Sequence, residues 1–476
     1  MKTFLERERK WDVDDGFEMP PLQELLRDSA VHHDQVELTS EYFDTADRDL
    51  QTHGVTLRRR SGQESGWQLK VPSGTDRLEL HFGDPSDTAD ESVPSEVARL
   101  LTGLRIGKEL TPVARIHTVR DRYRIVGVRD QQLHAEVADD RVDAIADGAP
   151  AAWREIEIEL GPEEKAMPKQ LVKRLASAGA APSAHPSKLS RVAPQLPMHT
   201  WGGPAATQAL AEYVHTQIDA VFSGDLGLRR GQDPIHDTRV AIRRLRSTLR
   251  VFSKVFDEHA LGAVESDLKW FAGLLGEVRD CEVQRRRFAD ALAGLPEELV
   301  LGPVAARIDS DLHQTQLQAR SRVSEAMDSP RYLGVLALLH RWRTDLPMAR
   351  PAKLQVLRKR ARRAGKKADK RLRQALAEDR EDLLHAARKA AKRARYAAEL
   401  VAPVADKSEM KRDIKRFKHI QSVLGDHQDS VVAAGVLQRL ARVAGTTPGE
   451  NGFTFGLLYA NERQTARMAV EKIKKG

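Results

Sequence analysis

The chain of 476 residues carries 77 Lys and Arg against 69 Asp and Glu, a net charge of +8, and 41% hydrophobic residues. That is too long for one ordinary domain and apolar enough for at least two cores. No run of eighteen apolar residues occurs, and the opening MKTFLERERKW is charged where a secretion signal needs an apolar stretch; membrane spans and export are disfavoured, a cytoplasmic protein is expected, and the lone Cys281 can form neither an internal disulfide nor a cysteine-based zinc site.

The charge is unevenly distributed. Residues 1–195 hold 27 basic and 35 acidic residues, a net −8, and the remainder holds 50 and 34, a net +16. Such a division predicts separate tasks, metal-dependent chemistry in the acidic part and polyanion capture in the basic part. In the acidic part, short alternating runs follow one another: TFLERERKW, VTLRRR, GWQLKVP, RLELHF, TVRDRYRIV, LHAEVAD and WREIEIEL. Period two predicts half-buried strands with apolar side chains on one face and charges on the other. The charged face either meets solvent or lines the lumen of a closed barrel.

Its composition bears on that choice. Glu6, Glu8 and Lys10 alternate on the first strand, Arg58 and Arg60 on another, and Glu155, Glu157 and Glu159 on the last. A row of three carboxylates repels itself unless cations neutralise it, and a row of arginines needs anions. A barrel lined by both suits a phosphate chain with a divalent metal, because hard cations take carboxylate oxygens and Arg or Lys grips phosphate oxygens.

The strand Glu6-Arg7-Glu8-Arg9-Lys10 has the ExExK pattern, and it is followed in order by Tyr42-Phe43-Asp44-Thr45, Leu57-Arg58-Arg59-Arg60, Leu69-Lys70-Val71-Pro72, Arg77-Leu78-Glu79, Arg120-Asp121-Arg122-Tyr123, Glu155-Ile156-Glu157-Ile158-Glu159 and a closing Lys188. Over residues 1–193 this order resembles the CYTH domains, the triphosphate tunnel metalloenzymes. The resemblance implies an eight-stranded antiparallel β-barrel tunnel and hydrolysis or transfer at a triphosphate with Mg²⁺ or Mn²⁺. By the same resemblance, Glu6, Glu8, Glu155 and Glu157 are metal ligands with Glu79 assisting. Lys10, Arg58, Arg60, Lys70, Arg120 and Lys188 form the phosphate clamp, and Arg122, on the same face as Arg120, joins them. Of the acids on the LHAEVADD strand, Glu136 and Asp140 share a face; Asp140 is favoured as the further ligand, with Glu136 in reserve.

Prolines and a Gly-Gly in APQLPMHTWGGPAATQ mark a linker at 194–204. Beyond it, apolar residues at helical spacing predict an all-α domain over 205–475, with helices in 206–290, 300–345 and 354–474. Self-comparison finds a repeat at an offset of 149: HDTRVAIRRLR from His236 matches HAARKAAKRAR from His385, and LLGEVRD ending at Asp280 matches VLGDHQD ending at Asp429. Two related helical bundles, about 206–345 and 354–474, are expected. The overall class is therefore α+β with two domains.

In the first copy His236, Arg239, Arg243, Arg246 and Arg250 fall within an arc of about 80° on a helix; the second copy repeats the pattern with His385, Arg388, Lys392 and Arg395. Like charges at i, i+4 destabilise a helix by a few tenths of a kcal/mol per pair, so two such stripes imply an anion, with the histidines as hydrogen-bond donors to it. The duplicated HxxRxxxRRxR pattern resembles the CHAD domain, which implies binding of inorganic polyphosphate and association with polyphosphate granules. A further tract, Arg358 to Arg363 with Lys366, Lys367, Lys370 and Arg371, is compatible with a solvated helix, a polyphosphate surface or a nucleic-acid patch; aromatic residues at 5% argue against base stacking.

The expected function is metal-dependent hydrolysis of inorganic triphosphate or a related polyphosphate in the tunnel, with polyphosphate held by the helical domain. The alternatives are a non-catalytic polyphosphate receptor and a cyclase that forms cyclic AMP from ATP.

Overall fold

A computed structural model describes residues 2–23, 29–62, 65–73, 76–82, 92–164, 167–194, 203–262 and 264–475. The chain divides into two compact units, Met1–Met198 and His199–Gly476. Most of the expected linker, residues 195–202, lies outside the described residues.

The first unit is one antiparallel sheet. Its strands are β1 (Lys2–Glu6), β2 (Glu8–Val13), β3 (Ser29–Asp44), β4 (Thr56–Gly62), β5 (Gly66–Ser73), β6 (Asp76–Phe82), β7 (Thr111–Gly127), β8 (Leu133–Ala146), β9 (Ala149–Leu160) and the short β10 (Ala181–Pro182). Five short helices interrupt them: α1 (Asp49–Thr52), α2 (Ser95–Leu100), α3 (Thr102–Arg105), α4 (Lys169–Ser177) and α5 (Lys188–Val192). The order is β1-β6-β5-β4-β3-β7-β8-β9-β2-β10. The eight-stranded closed barrel expected from the sequence needs correction, since among the described residues the sheet has ten strands and does not close in a ring of hydrogen bonds. The cause lies at Arg7, where the expected first strand breaks; β1 pairs with β6 and β2 pairs with β9. The Arg7 carbonyl accepts from the Leu160 amide at 3.0 Å.

Alternation sorts the faces as period two requires. On β9, Ile156 and Ile158 turn outward into a core with Trp11, Val137 and Ile125, covered by Leu171 and Leu175 of α4. Glu155, Glu157 and Glu159 take the opposite face. Along β7 and β8 that second face changes character, from Arg120 and Asp140 to an apolar floor of Ala114, Ile116, Val142 and Ala144, on which Leu189 of α5 packs.

The second unit is helical, as expected: α6 (Ala205–Arg229), α7 (Ile235–Val251), α8 (Glu258–Leu261), α9 (Val264–Ala293), α10 (Val304–Met327), α11 (Pro330–Thr344), α12 (Leu354–Glu378), α13 (Glu381–Val401), α14 (Lys407–Ala444) and α15 (Phe453–Lys475). The repeat places α7 against α9 and α13 against α14, and α7 packs on α13. Ala387, Ala390, Ala391 and Ala394 of α13 are buried in a small-residue core with Leu424 and Phe417 of α14. Cys281 is buried in α9. No helix among the described residues is long and apolar enough to cross a membrane.

Candidate active site and cationic cavity

The charged face of the sheet encloses a cavity of about 490 Å³ lined by Glu6, Glu8, Lys10, Arg58, Arg60, Lys70, Glu79, Arg120, Glu157 and Lys188, ten of the thirteen residues expected there. Strand register puts opposite signs directly across from one another: Lys10 faces Glu157, Lys70 faces Glu79, and Arg120 faces Asp140. Such pairs satisfy charges that no single strand could carry alone.

Two ionic groups result. In the first, Lys188 Nζ donates to Asp140 Oδ2 at 2.7 Å and Glu157 Oε1 at 2.6 Å, and lies 2.9 Å from Glu155 Oε1. Arg120 donates through Nε and Nη2 to both oxygens of Asp140 at 2.8 and 2.7 Å, and to Glu157 Oε2 at 2.5 Å. Lys10 donates to Glu157 and lies 3.4 Å from Glu8. In the second, Lys70 donates to Glu6 and sits 3.2 Å from Glu79, while Arg58 is 3.6 Å from Glu79 and donates through Nε to Gln68 at 2.7 Å.

Burial opposes every charge in this cavity, and the partners decide the outcome. Against desolvation, Lys10, Lys188 and Arg120 hold the Glu157 carboxyl well below the usual range. Against the same cost, Glu157, Glu8 and Glu155 raise the Lys10 ammonium. Desolvation prevails at Glu6, whose carboxyl is raised despite Lys70. Glu159 opens to the lumen, and desolvation by the surrounding wall together with Glu6 pushes it up to about 7.

Asp140 and Glu155 are fully buried behind the wall and reach the cavity through Lys188. Arg122 is not part of the lining; it donates to Asp34 of β3 at 3.0 and 2.6 Å. The lining also holds Tyr42, Gln68, Arg77, His81, Glu136 and Glu159, none of them among the expected site residues apart from Glu136 in reserve. Alternation could have found most of these, since Gln68 shares the parity of Lys70, and Arg77 and His81 that of Glu79.

A divalent cation fits this chemistry. Among the described residues, Asp140, Glu155 and Glu157 each offer a carboxylate oxygen, all within 4.8 Å of one another. Hard oxygen donors suit Mg²⁺ or Mn²⁺. Glu6 Oε2, buried with no hydrogen-bond partner among the described residues, is a further acceptor on the cavity lining.

In the helical unit the two stripes converge. Arg239, Arg243, Arg246 and Arg250 of α7 and His385, Arg388 and Lys392 of α13 line one cavity of about 600 Å³, joined by Lys269, Lys389 and Arg393. The stripes lack carboxylates of their own, and neighbouring helices supply a few: Glu265 lies 2.9 Å from Arg246 and 2.7 Å from Arg250, and Asp280 lies 2.9 Å from Arg239. Lys392 is pushed down to about 7 by desolvation, then by Arg388, Arg243 and Arg239. His385 Nδ1 bonds to Gln428 at 2.7 Å. His236 is exposed and outside the lining, and Arg395 lies 3.1 Å from Glu399 and stacks on Tyr396.

Each copy seats its leading arginine over a glycine. A Cβ on Gly276 would lie 2.8 Å from the Arg239 guanidinium, and one on Gly425 would lie 3.4 Å from that of Arg388. The two glycines are 149 residues apart, the offset of the repeat.

The CYTH domain family matches residues 5–192 and the CHAD domain family residues 212–438. The Mycobacterium tuberculosis protein named "Uncharacterized protein Rv2226" is 34% identical over 501 residues, spanning 99% of this chain and 95% of its own length. Among solved structures, PptA from Streptomyces chartreusis is 22% identical with a TM-score of 0.48, covering 57% of this chain and 99% of its own. The CHAD domain from the plant Ricinus communis is 23% identical with a TM-score of 0.46, covering 56% and 92%. With both domain families matched in one chain and a full-length relative above 30% identity, this protein belongs to the family that joins an N-terminal CYTH domain to a C-terminal CHAD domain.

Proposed function

We propose that the N-terminal cavity hydrolyses the terminal phosphoanhydride of inorganic triphosphate or a short polyphosphate, and that the helical unit binds longer polyphosphate. The domain limits proposed with it are 1–193 and 205–475. The observation that carries the reading is the meeting of Lys10, Arg58, Arg60, Lys70 and Arg120 with the buried carboxylates of Glu6 and Glu157 in the lining of one cavity. In hydrolysis, water attacks the terminal phosphorus, the bridging P–O bond breaks, orthophosphate and the shortened chain leave, and the proton of the water passes to solvent. Charge grows on the bridging and equatorial oxygens, and fixed cations aimed there lower the barrier.

Asp140, Glu155 and Glu157 would hold Mg²⁺ or Mn²⁺, with Glu6, Glu8 and Glu79 as further acids, and the ion when bound would polarise phosphoryl oxygens and acidify a water. Lys188 sits where three carboxylates converge. Once released from them, its ammonium is free to grip phosphate. Arg58 and Lys70 hold the chain from the other ionic group.

Phosphate release from tripolyphosphate, ATP, thiamine triphosphate and long polyphosphate, each with Mg²⁺ or Mn²⁺, tests this. Glu8→Gln is expected to lower turnover by roughly a hundredfold or more with the circular dichroism spectrum unchanged. Undiminished turnover would remove the tunnel mechanism, and cyclic AMP formed from ATP would replace hydrolysis with cyclisation.

A further inference from the structure

The basic tract of α12 spreads its cations over the whole polar side of the helix. Arg360, Arg363, Lys367 and Arg371 fall within an arc of about 80°, while Arg358, Arg362 and Asp369 lie on the opposite side. The second group pairs with α14: Arg358 and Arg362 share Glu409 at 3.5 and 3.0 Å, and Asp369 pairs with Arg416. On the first face, Arg360, Arg363 and Lys367 have no ion-pair partner among the described residues. They turn to a second cavity of about 300 Å³, bounded by Arg250 of α7 and Arg393 of α13. Those two arginines also line the first cavity.

We propose that the two cavities form one track for a linear polyanion, so that the helical unit discriminates by chain length: short chains fill the cavity between α7 and α13, and longer chains cross Arg250 and Arg393 to reach α12. This rests on the polyphosphate reading above and adds the selectivity of that site. Arg393 is held below its usual range by burial, then by Arg250, Arg371 and Arg246, with Glu265 opposing, as befits a ridge where cations outnumber acids. Three cations of α12, Arg360, Arg363 and Lys367, join Arg250 and Arg393 in a lining that contains no carboxylate, a setting that suits a polyanion. Among the described residues no Phe, Tyr or Trp lines either cavity, which favours phosphate chains over single-stranded nucleic acid.

The test uses the full chain and two linear polyphosphates, tripolyphosphate and a chain several times longer, titrated calorimetrically over a series of NaCl concentrations. Comparing a variant with the wild type on the same chain cancels any contribution from the N-terminal cavity. The triple variant Arg360→Ala, Arg363→Ala, Lys367→Ala is expected to leave the tripolyphosphate constant within twofold, weaken the long chain, and lower the slope of log K against log salt by about 2 for the long chain only. Equal weakening of both lengths, or none, overturns the track. A separate variant, Arg243→Ala with Arg388→Ala, probes the underlying reading: if long-chain binding survives it intact, the polyphosphate reading itself fails. If that variant weakens binding and the triple variant does not, only the extension to α12 fails. A single-stranded oligonucleotide that binds as tightly as the long polyphosphate and is lost in the triple variant would assign the track to nucleic acid and overturn the proposal.

Discussion

Lys392 shows how a single position reports on its cavity. Burial, then Arg388 on its own helix and Arg243 and Arg239 on α7, press its ammonium down to about 7, with Asp429 of α14 opposing. The free protein therefore holds this lysine largely neutral above pH 7, and a bound polyanion favours the charged form. Binding then takes up a proton, so polyphosphate affinity is expected to rise as the pH falls toward 7 and to level off below it. Lys392→Arg, charged throughout, should flatten that rise in a titration series; an unchanged profile would place the proton uptake elsewhere. Much of the site was legible at this scale. Glu6, Glu8, Lys10 and the Arg58 pair stand out because period two puts like charges on one face. Arg122 was misplaced because parity gives a face and not a depth: it shares its face with Arg120 and engages Asp34 instead of lining the cavity.

Among elements, the paired glycines explain how cationic stripes can sit against neighbouring helices at all. In a helix interior, Gly→Ala adds about 1 kcal/mol of propensity. At Gly276 the new methyl would meet the far end of a flexible Arg239 side chain, which can swing away. Gly276→Ala is therefore expected to keep or raise the melting temperature while weakening polyphosphate binding, a split visible by comparing thermal melts with binding isotherms. Loss of stability in step with affinity would mean that the glycine serves packing alone. The repeat offset was readable from HxxR and GxxxD together, but the glycine's role was not, because only a neighbouring helix gives it meaning. The strand β3 was likewise absent from the alternating runs: VHHDQVELTS mixes polar residues on both faces, and its pairing with β7 and β4 is what makes it a strand.

For the molecule as a whole, the division into a net −8 and a net +16 part predicts kinetics that differ with substrate length. If the helical unit captures long polyphosphate for the barrel, tethering raises its local concentration. Log kcat/KM for the long polymer is then expected to fall with log salt more steeply than that for tripolyphosphate, by about 0.7 per additional cation engaged. Parallel slopes in phosphate-release assays would leave the two activities independent. The two-part architecture followed directly from the composition shift and the change of period. The failure of the sheet to close did not, since a break within a run of alternating charges has no sequence mark.

That break at Arg7 has a consequence for biosynthesis. β1 forms one margin of the sheet and β2 lies beside the short β10 at the other, and during synthesis β2 has no partner strand until β9, which ends at Leu160, has been made. Through that interval the Glu6–Lys10 segment is an unzipped edge, which would readily recruit another chain were it oily. Its alternating glutamates and lysine keep it dispersed while it waits, so the residues read here as catalytic equipment also act as a guard against premature association.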